Sequence, residues 1–229
     1  MTSPDALAIA GLTRMSSCDW PGKLVATLFL QGCPWRCGYC HNRDLLDPAT
    51  PGVVTWGEVR SLLARRRGLL DGVVFSGGEP TRQDALVAAA SQVRDQGFGV
   101  GLHTAGAYPR KLARLLPLLD WIGLDIKALP ARYGAITGVE ASGAKAAESL
   151  ALVVASGVDH EVRITVDPDI HDLAHVTDLV AWVRAAGARR IVLQQARADG
   201  ASAAFAARLG GRVLADVVPK VPDGVLVRR

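Results

Sequence analysis

Three of the four cysteines of this chain, Cys33, Cys37 and Cys40, fall within eight residues. The apolar segment before them, residues 24–31, predicts a buried strand that ends at Gly32. The cysteines therefore lie on the loop that follows this strand. Thiols clustered so closely favour a metal or redox centre over a disulfide framework, and such a centre would sit at the end of a strand.

The spacing of the three cysteines is short enough for one loop to bring three thiolates to one metal centre. Ordinary electron-carrying iron-sulfur clusters take four cysteines. Three ligands on a four-iron cluster leave one iron open to a small molecule. In the same way, a catalytic zinc ion has three protein ligands and one open position, whereas a structural zinc ion has four protein ligands. Three alternatives stay open: a structural zinc site with His41, a four-cysteine cluster completed by Cys18, and thiols without a metal.

Outside this loop, strands alternate with helices. Parallel neighbours need long crossover connections, so the alternation indicates a parallel sheet of about six strand-helix units. We expect an α/β fold, an incomplete and laterally open (β/α)6 barrel of parallel strands, with an open doubly wound sheet as the alternative. The predicted strands cover residues 24–31, 72–75, 99–104, 121–127, 161–166 and 190–195. The predicted helices cover residues 55–67, 86–96, 110–118, 145–156, 174–186 and 201–214.

A length of 229 residues with 49% hydrophobic composition suits one domain of this class. We expect a single domain over residues 1–229, with a short N-terminal segment at 1–15 and a tail at 219–229 that could add a final short strand.

The sequence gives no reason to expect a membrane or nucleic acid as partner. No stretch reaches the ~20 apolar residues of a membrane span, and the apolar run at 6–12 has no basic segment before it. The net charge of +4 is spread along the chain apart from the arginines at 65–67, which we interpret as a solvated helix face. We therefore expect a cytoplasmic protein that binds neither membranes nor nucleic acids.

Polar side chains alternate with apolar ones at the ends of four predicted strands. In the strand at 161–166 the apolar residues share one face and leave Arg163 and Thr165 on the other. The polar residues of the four strands are Arg163, Thr165, Asp125, Lys127, His103 and Gln194. Because sites in barrels are built at the carboxyl ends of strands, these side chains predict a polar pocket inside the sheet.

Five short motifs resemble those of the radical S-adenosylmethionine (SAM) enzymes. They are Asp-Trp-Pro-Gly-Lys at 19–23, Phe-Leu-Gln-Gly-Cys at 29–33, Arg-Cys at 36–37, Tyr-Cys-His-Asn at 39–42 and Phe-Ser-Gly-Gly-Glu-Pro at 75–80. The likeness covers roughly residues 16–195. More narrowly, it resembles the glycyl-radical-enzyme activases, among them the activating enzymes of pyruvate formate-lyase and of anaerobic ribonucleoside-triphosphate reductase. The barrel expected above would then be of the radical SAM type.

The resemblance implies a 4Fe-4S cluster bound by Cys33, Cys37 and Cys40, with SAM on the fourth iron. It further implies reductive cleavage of SAM to a 5'-deoxyadenosyl radical that abstracts hydrogen from a glycine of a large glycyl-radical enzyme, anaerobic ribonucleotide reductase. A low-potential donor such as flavodoxin or ferredoxin would supply the electron. The alternatives are a radical SAM enzyme acting on a small molecule or another peptide, a non-catalytic iron-sulfur electron carrier that uses Cys18, and a zinc-stabilised binding module.

The turn at residues 77–80 is expected to bind SAM. Gly77 and Gly78 would let the main chain approach the ligand closely, and Glu79, held extended by Pro80, would offer its carboxylate to the SAM ammonium group.

The resemblance also assigns side chains at other strand ends. Asp19 would contact the backbone of the substrate's glycine loop, or only form a turn, and Arg163 would approach SAM, or only form an ion pair. Where some activases have an Asp that helps to bind a monovalent cation, this chain has His103. That histidine would act electrostatically when protonated, or be a neutral pocket residue. Asp125 and Lys127 are candidates for the SAM pocket, with a local salt bridge as the alternative.

Overall fold

The computed structural model describes residues 2–228, so the predicted domain ends at Met1 and Arg229 lie outside the described residues. Its centre is one sheet of eight strands in sequence order. The first pair of strands is antiparallel and every later pair is parallel. The strands are β1 (Ile9–Ser16), β2 (Val25–Leu30), β3 (Gly72–Gly77), β4 (Gly99–Thr104), β5 (Trp121–Asp125), β6 (Asp159–Val166), β7 (Ile191–Gln195) and β8 (Val225–Arg228).

Helices connect the parallel strands, and their apolar faces share one core with the outward-facing side chains of the sheet. They are α1 (Trp56–Arg65), α2 (Leu86–Asp95), α3 (Pro109–Leu115), α4 (Tyr133–Thr137), α5 (Ser142–Ser156), α6 (Leu173–Ala185), α7 (Ala203–Leu209) and α8 (Leu214–Val217). Thr55 caps α1 through a capping box with Glu58, and Gly157 ends α5 with a φ of 73°. None of the helices in the described chain has the length and apolar character needed to cross a membrane.

The sheet curls into an incomplete barrel. Phe29 on β2 and Arg228 on β8 line the same pocket, although a flat sheet would separate these strands by about 29 Å at about 4.8 Å per strand. Within residues 2–228 no pairing joins β1 to β8, so the barrel stays open along that side. The sequential strand order excludes the doubly wound alternative and confirms the predicted open barrel.

A small second core fills the inside of the sheet at the amino ends of its strands. Trp20, from the segment between β1 and β2, stacks on Trp121 with ring centres 5.8 Å apart. A Cβ on Gly101 would lie 2.9 Å from the Trp20 ring, and one on Gly99 would lie 3.2 Å from it. The glycines therefore make room for the indole, which closes the barrel beneath the pocket.

Three parts of the fold differ from the sequence prediction. The six predicted strands are β2 to β7 and the short strand in the tail is β8, but β1 was missed within the segment 1–15. It is an edge strand whose middle is exposed, so it lacks the apolar alternation of a buried strand. The single helix predicted at 201–214 is wrong, because Gly210 and Gly211 adopt φ values of 56° and 79° and separate α7 from α8. The loop predicted before residue 145 contains α4.

Candidate functional site

A pocket of about 590 Å³ opens inside the curved sheet at the carboxyl ends of the strands, and this is an ordinary size for a small-molecule site. Strands β2 to β8, the segment between β1 and β2, and the cysteine loop all contribute to its lining. Of the six polar residues predicted to converge, five line it: Asp125, His103, Arg163, Thr165 and Gln194.

The cysteine loop, residues 33–40, borders this pocket. Cys37 is buried, Cys33 and Cys40 are half-buried, and Cys40 lines the pocket. Within residues 2–228, no group of three or more His, Cys, Asp or Glu side chains is arranged to hold a metal ion, so the thiols do not form a ready-made ligand set. Where metal binding is coupled to folding, the metal itself draws the ligands together.

The electrostatics of the cysteine loop are set by burial and by one lysine. Burial raises the pKa of the Cys33 thiol to about 12 and also raises the pKa of Cys37, while the charge of Lys127 lowers both. Lys127 is buried, and its Nζ lies 5.6 Å from the centre of the Tyr39 ring. A cation at this place stabilises thiolates, because an opposite charge favours the ionised form.

The segment before α7 supports the cysteine loop from outside. The His41 ring bonds through Nδ1 to the carbonyl oxygen of Asp199 at 2.6 Å. A Cβ on Gly200 would lie 2.6 Å from the His41 carbonyl oxygen, and the Tyr39 ring packs edge-on against Phe205. His41 therefore braces the loop through its side chain, and this contact does not require it to bind a metal.

The two glycines of the turn at 77–80 pack against the main chain at the end of β2. Gly77 has a φ of 116°, and a Cβ on it would lie 2.3 Å from the Leu30 nitrogen. A Cβ on Gly78 would lie 2.6 Å from the Gly32 carbonyl oxygen. A side chain at either position would clash with this main chain, which is a requirement for glycine that the sequence did not reveal. Both glycines also line the pocket, and a close approach of SAM to them stays a prediction.

Glu79 is fully buried and does not line the pocket. Its carboxylate accepts hydrogen bonds from the Thr81 nitrogen and hydroxyl at 3.1 and 2.5 Å. It also accepts bonds from the Thr104 hydroxyl at 2.7 Å and the Ala105 nitrogen at 2.8 Å. The backbone of Glu79 is extended, as predicted, but its side chain turns back to cap the short helical turn begun by Pro80. The carboxylate therefore joins β4 to this turn, and its contact with the SAM ammonium group stays a prediction.

His103 connects β3 and β4 to the segment between β1 and β2. Its Nε2 lies 2.7 Å from the carbonyl oxygen of Asp19, and its Nδ1 lies 3.1 Å from the Ser76 hydroxyl. A carbonyl only accepts, so Nε2 carries the proton and Nδ1 accepts from Ser76. Burial and the nearby Arg163 charge lower the pKa of His103 to about 3. Of the two predicted alternatives, the structure favours the neutral pocket residue.

Asp125 forms an ion pair with Arg163 inside the barrel. Arg163 Nε donates to Asp125 Oδ1 at 2.7 Å, and its Nη2 donates to the Gly123 carbonyl oxygen at 3.2 Å. Lys127 Nζ lies 3.9 Å from the other carboxylate oxygen. Burial opposes ionisation of Asp125, but the charges of Arg163 and Lys127 outweigh it and hold the pKa of the carboxyl below its usual range. The salt bridges predicted as alternatives are thus present, and they lie at the pocket.

Asp19 reaches the pocket from the segment between β1 and β2. Its carboxylate accepts a hydrogen bond from the Thr27 hydroxyl at 2.6 Å. Cys18 beside it is exposed and also lines the pocket. The Cys18 Sγ lies 3.4 Å from the Ser16 hydroxyl oxygen. Both side chains therefore lie at the pocket near the open side of the barrel.

Sequence reasoning assigned no role to three residues of this region, although two of them lie in the motifs at 39–42 and 75–80. Ser76 shares the inner face of β3 with Val74, so the alternation test applied to β3 would have found it. Tyr39 lies between two of the cysteines. Arg228, on the last strand, donates to the buried Glu161 carboxylate at 3.0 Å, and no sequence pattern pairs these two residues.

The residues present fit both groups that the family resemblance implies. Three thiols on one loop are the donor type of iron-sulfur clusters, and the buried Tyr39 hydroxyl beside them has no hydrogen-bond partner among residues 2–228. The adjoining pocket offers carboxylate, guanidinium and amide groups for a zwitterionic nucleoside. The donor set therefore suits a cluster on the loop and SAM in the pocket.

Comparison with known proteins gives the family. A sequence profile of the radical SAM superfamily matches residues 27–182. A protein of Methanocaldococcus jannaschii named as a glycyl-radical enzyme activating enzyme is 27% identical over 186 residues, covering 77% of this chain and 75% of that protein. The pyruvate formate-lyase-activating enzyme of Clostridium pasteurianum is 34% identical over 136 residues, which is 57% of each chain. The match thus spans little more than half of the latter enzyme.

Solved structures support the fold. Streptococcus suis SuiB bound to S-adenosylmethionine superposes with a TM-score of 0.62 at 13% identity, covering 86% of this chain and 48% of that one. The enzyme anSMEcpe with bound AdoMet superposes with a TM-score of 0.56 at 17% identity, covering 73% of this chain and 48% of that one.

Proposed function

The chain belongs to the radical SAM superfamily, and on that premise we propose that it is an activase that generates a glycyl radical on a partner enzyme. Members of this superfamily use a 4Fe-4S cluster and SAM. When bound, these groups supply one-electron cleavage of SAM and the radical that takes a hydrogen atom. The names of the relatives support the choice of a glycyl-radical enzyme as the partner.

In this proposal the chain's own residues bind, orient and exclude water. Cys33, Cys37 and Cys40 hold the cluster, and Lys127 offsets the negative charge of the thiolates. Gly77 and Gly78 border SAM with their main chain. Asp125 and Arg163, already paired with each other, present a fixed carboxylate and guanidinium to it, so little reorganisation is needed when SAM binds.

One observation carries the proposal: a single pocket joins Cys40 of the cysteine loop, the turn glycines and Asp19, and it belongs to a barrel without closure between β1 and β8. A glycine on a folded partner can approach such a pocket from the side. Hydrogen transfer needs the reacting atoms near van der Waals contact, and Asp19 would hold the backbone of the entering loop.

The finer points are proposals of the same kind. The partner is anaerobic ribonucleotide reductase, the electron donor is a flavodoxin or a ferredoxin, residues 1–229 form one domain, and the protein works in the cytoplasm, where its thiols stay reduced. A radical SAM enzyme for a small molecule or another peptide is the second candidate.

The test is anaerobic incubation of the reconstituted, reduced protein with SAM and the glycyl-radical enzyme of the same genome. We expect one 5'-deoxyadenosine for each glycyl radical, the radical being counted by EPR, and neither product with the Cys37→Ser variant. Deoxyadenosine without a radical on any such partner would move the assignment to a small-molecule or other peptide substrate. No deoxyadenosine at all would contradict radical SAM chemistry.

A further inference from the structure

A second, larger cavity lies outside the barrel, away from the pocket described above. It is a groove of about 850 Å³ between β1 and α1. Its charged lining consists of Arg14 on β1, Arg60 and Arg65 on α1, and Glu58. The arginines at 65–67 were predicted to form a solvated helix face. The first of them, Arg65, lines this groove.

The groove is cationic, because its positive charges outnumber its one negative charge. Arg14, Arg60 and Arg65 are exposed, and within residues 2–228 their side chains make no hydrogen bond or ion pair. Glu58 is held by the nitrogen and the hydroxyl of Thr55. The lining of the groove carries three arginines and one carboxylate, so its net charge is +2. This charge favours an acidic occupant.

The strand beside the groove has a free edge. β1 pairs with β2 on one side only, and on its other side the backbone pairing within the described chain is confined to Ile9, which bridges Val54. With the other residues of the range 2–228, residues 11–16 make no backbone–backbone hydrogen bond outside the ladder with β2. Thr13, Arg14 and Met15 are exposed, Met15 by 57%. An exposed edge with unpaired N–H and C=O groups accepts an added strand.

The periodicity of a strand joins these two observations. Leu12 and Arg14 face the groove, so every second side chain of a strand added to β1 would point to the same side. Acidic residues at alternate positions of that strand would then meet the three arginines. The added strand would also lie on the open side of the barrel, next to the segment that carries Cys18 and Asp19.

We propose that the β1 edge and the arginine groove bind an extended acidic segment of the protein partner by strand addition. The inference rests on the proposed function, because it takes the substrate to be a protein. It goes beyond that function by naming a docking surface separate from the pocket, and the chemistry of the segment that fits it.

The probe is a fluorescent 12-residue peptide with Glu at alternate positions and Val or Thr between them, added to the reconstituted protein under anaerobic conditions. We expect backbone amides of residues 11–16 to exchange hydrogen more slowly when the peptide is bound. The double variant Arg60→Glu with Arg65→Glu should bind it roughly tenfold more weakly, and raised salt should weaken wild-type binding. The matched control is Arg110→Glu with Arg114→Glu on α3, also exposed helix arginines, which should bind like the wild type.

Three results of the peptide experiment would overturn the proposal: unchanged exchange of the β1 amides, equal weakening by the α3 control, or binding of single-stranded DNA but not of the peptide. The groove variant should keep partner-free deoxyadenosine formation and raise the KM for the glycyl-radical partner without lowering kcat. If wild-type protein installs a radical and the groove variant does so with unchanged KM, the docking surface is wrong and the proposed function stands.

Discussion

The turn at residues 77–80 adjoins the cysteine loop at 33–40, since the Glu79 nitrogen donates to the carbonyl oxygen of Gly32, the residue before the loop, at 2.9 Å, yet the two are organised in opposite ways. In the turn, the buried carboxylate of Glu79 has four hydrogen-bond donors. In the loop, the Tyr39 hydroxyl has no hydrogen-bond partner among residues 2–228, and the thiols of this part of the chain do not form a ligand set.

The difference teaches which part of the site the polypeptide builds by itself. The strand ends are preorganised by protein contacts alone, as the bonds of Glu79, His103 and Asp125 demonstrate. The cysteine loop depends on what its thiols bind, because burial raises the pKa of the Cys33 thiol whereas the form that ligates a metal is the thiolate. We therefore expect mutations in the two regions to affect different properties: folding stability at the turn, and cluster retention at the loop.

The largest effect is expected from the cysteines. Replacing any one of Cys33, Cys37 or Cys40 by Ser should abolish the intact 4Fe-4S cluster and reduce deoxyadenosine formation more than a hundredfold, because a hydroxyl is a poor ligand for iron in such a cluster. The thermal unfolding of the metal-free protein should barely change. Iron and sulfide content measures cluster retention, and the Tm of the metal-free protein measures its stability. A large loss of metal-free stability would break the proposed contrast.

At the turn at residues 77–80 we expect the opposite of the cysteine loop: a substitution should lower the folding stability of the metal-free protein. Glu79→Gln places an amide opposite donors and should cost about 2–4 kcal/mol of unfolding free energy, the range for a buried hydrogen-bond network that loses its acceptor. Glu148→Gln, on the exposed surface of α5, is the matched control and should be neutral. Chemical denaturation of the metal-free proteins measures both. Equal stability of the two variants would show that the Glu79 network is not structural.

His103 gives the pH dependence of the preorganised region. Its folded pKa of about 3 lies below the ordinary value near 6.5, so between these values only the unfolded chain binds the proton. Stability from this residue is therefore complete above about pH 6.5 and is lost as the pH falls, by at most about 1.4 kcal/mol per pH unit. Wild-type protein should lose stability more steeply than His103→Gln from pH 6.5 to 4.5.

The tautomer of His103 provides an independent measurement. Nitrogen NMR of labelled imidazole should find a neutral ring protonated at Nε2 throughout pH 5.5 to 9. A ring that titrates near pH 6.5 would instead favour the protonated, electrostatic role.

The smallest effect is expected at Tyr39. Tyr39→Phe removes a buried hydroxyl that has no hydrogen-bond partner in the described part of the chain. The unfolding free energy of the metal-free protein should therefore change by less than about 1 kcal/mol, with a gain in stability as the expected sign. The cluster-bound protein should respond differently, through a shift in its reduction potential measured by EPR-monitored titration. A clear loss of metal-free stability would mean that the hydroxyl has a partner in the protein.

The sequence predicted the parallel strands well because each has a strong apolar pattern and a clear turn signal. It predicted the convergence of Asp125, His103 and Arg163 for the same reason, since alternation fixes the face of each side chain. It missed β1, whose exposed edge weakens the pattern. It also could not reveal that the Glu79 carboxylate accepts hydrogen bonds from Thr81 and Thr104. The direction in which this side chain points depends on its rotamer and on contacts with β4. The Glu161–Arg228 pair depends on tertiary structure alone.

The central claim is that three thiolates hold a cluster with one iron open to SAM, and EPR of the reduced cluster with and without SAM tests it most directly, on wild-type protein and on Cys18→Ser. The account predicts that both proteins retain the cluster, that SAM changes both spectra, and that deoxyadenosine forms in both. A spectrum that ignores SAM, together with loss of the cluster in Cys18→Ser, would contradict the account and identify a four-cysteine electron carrier.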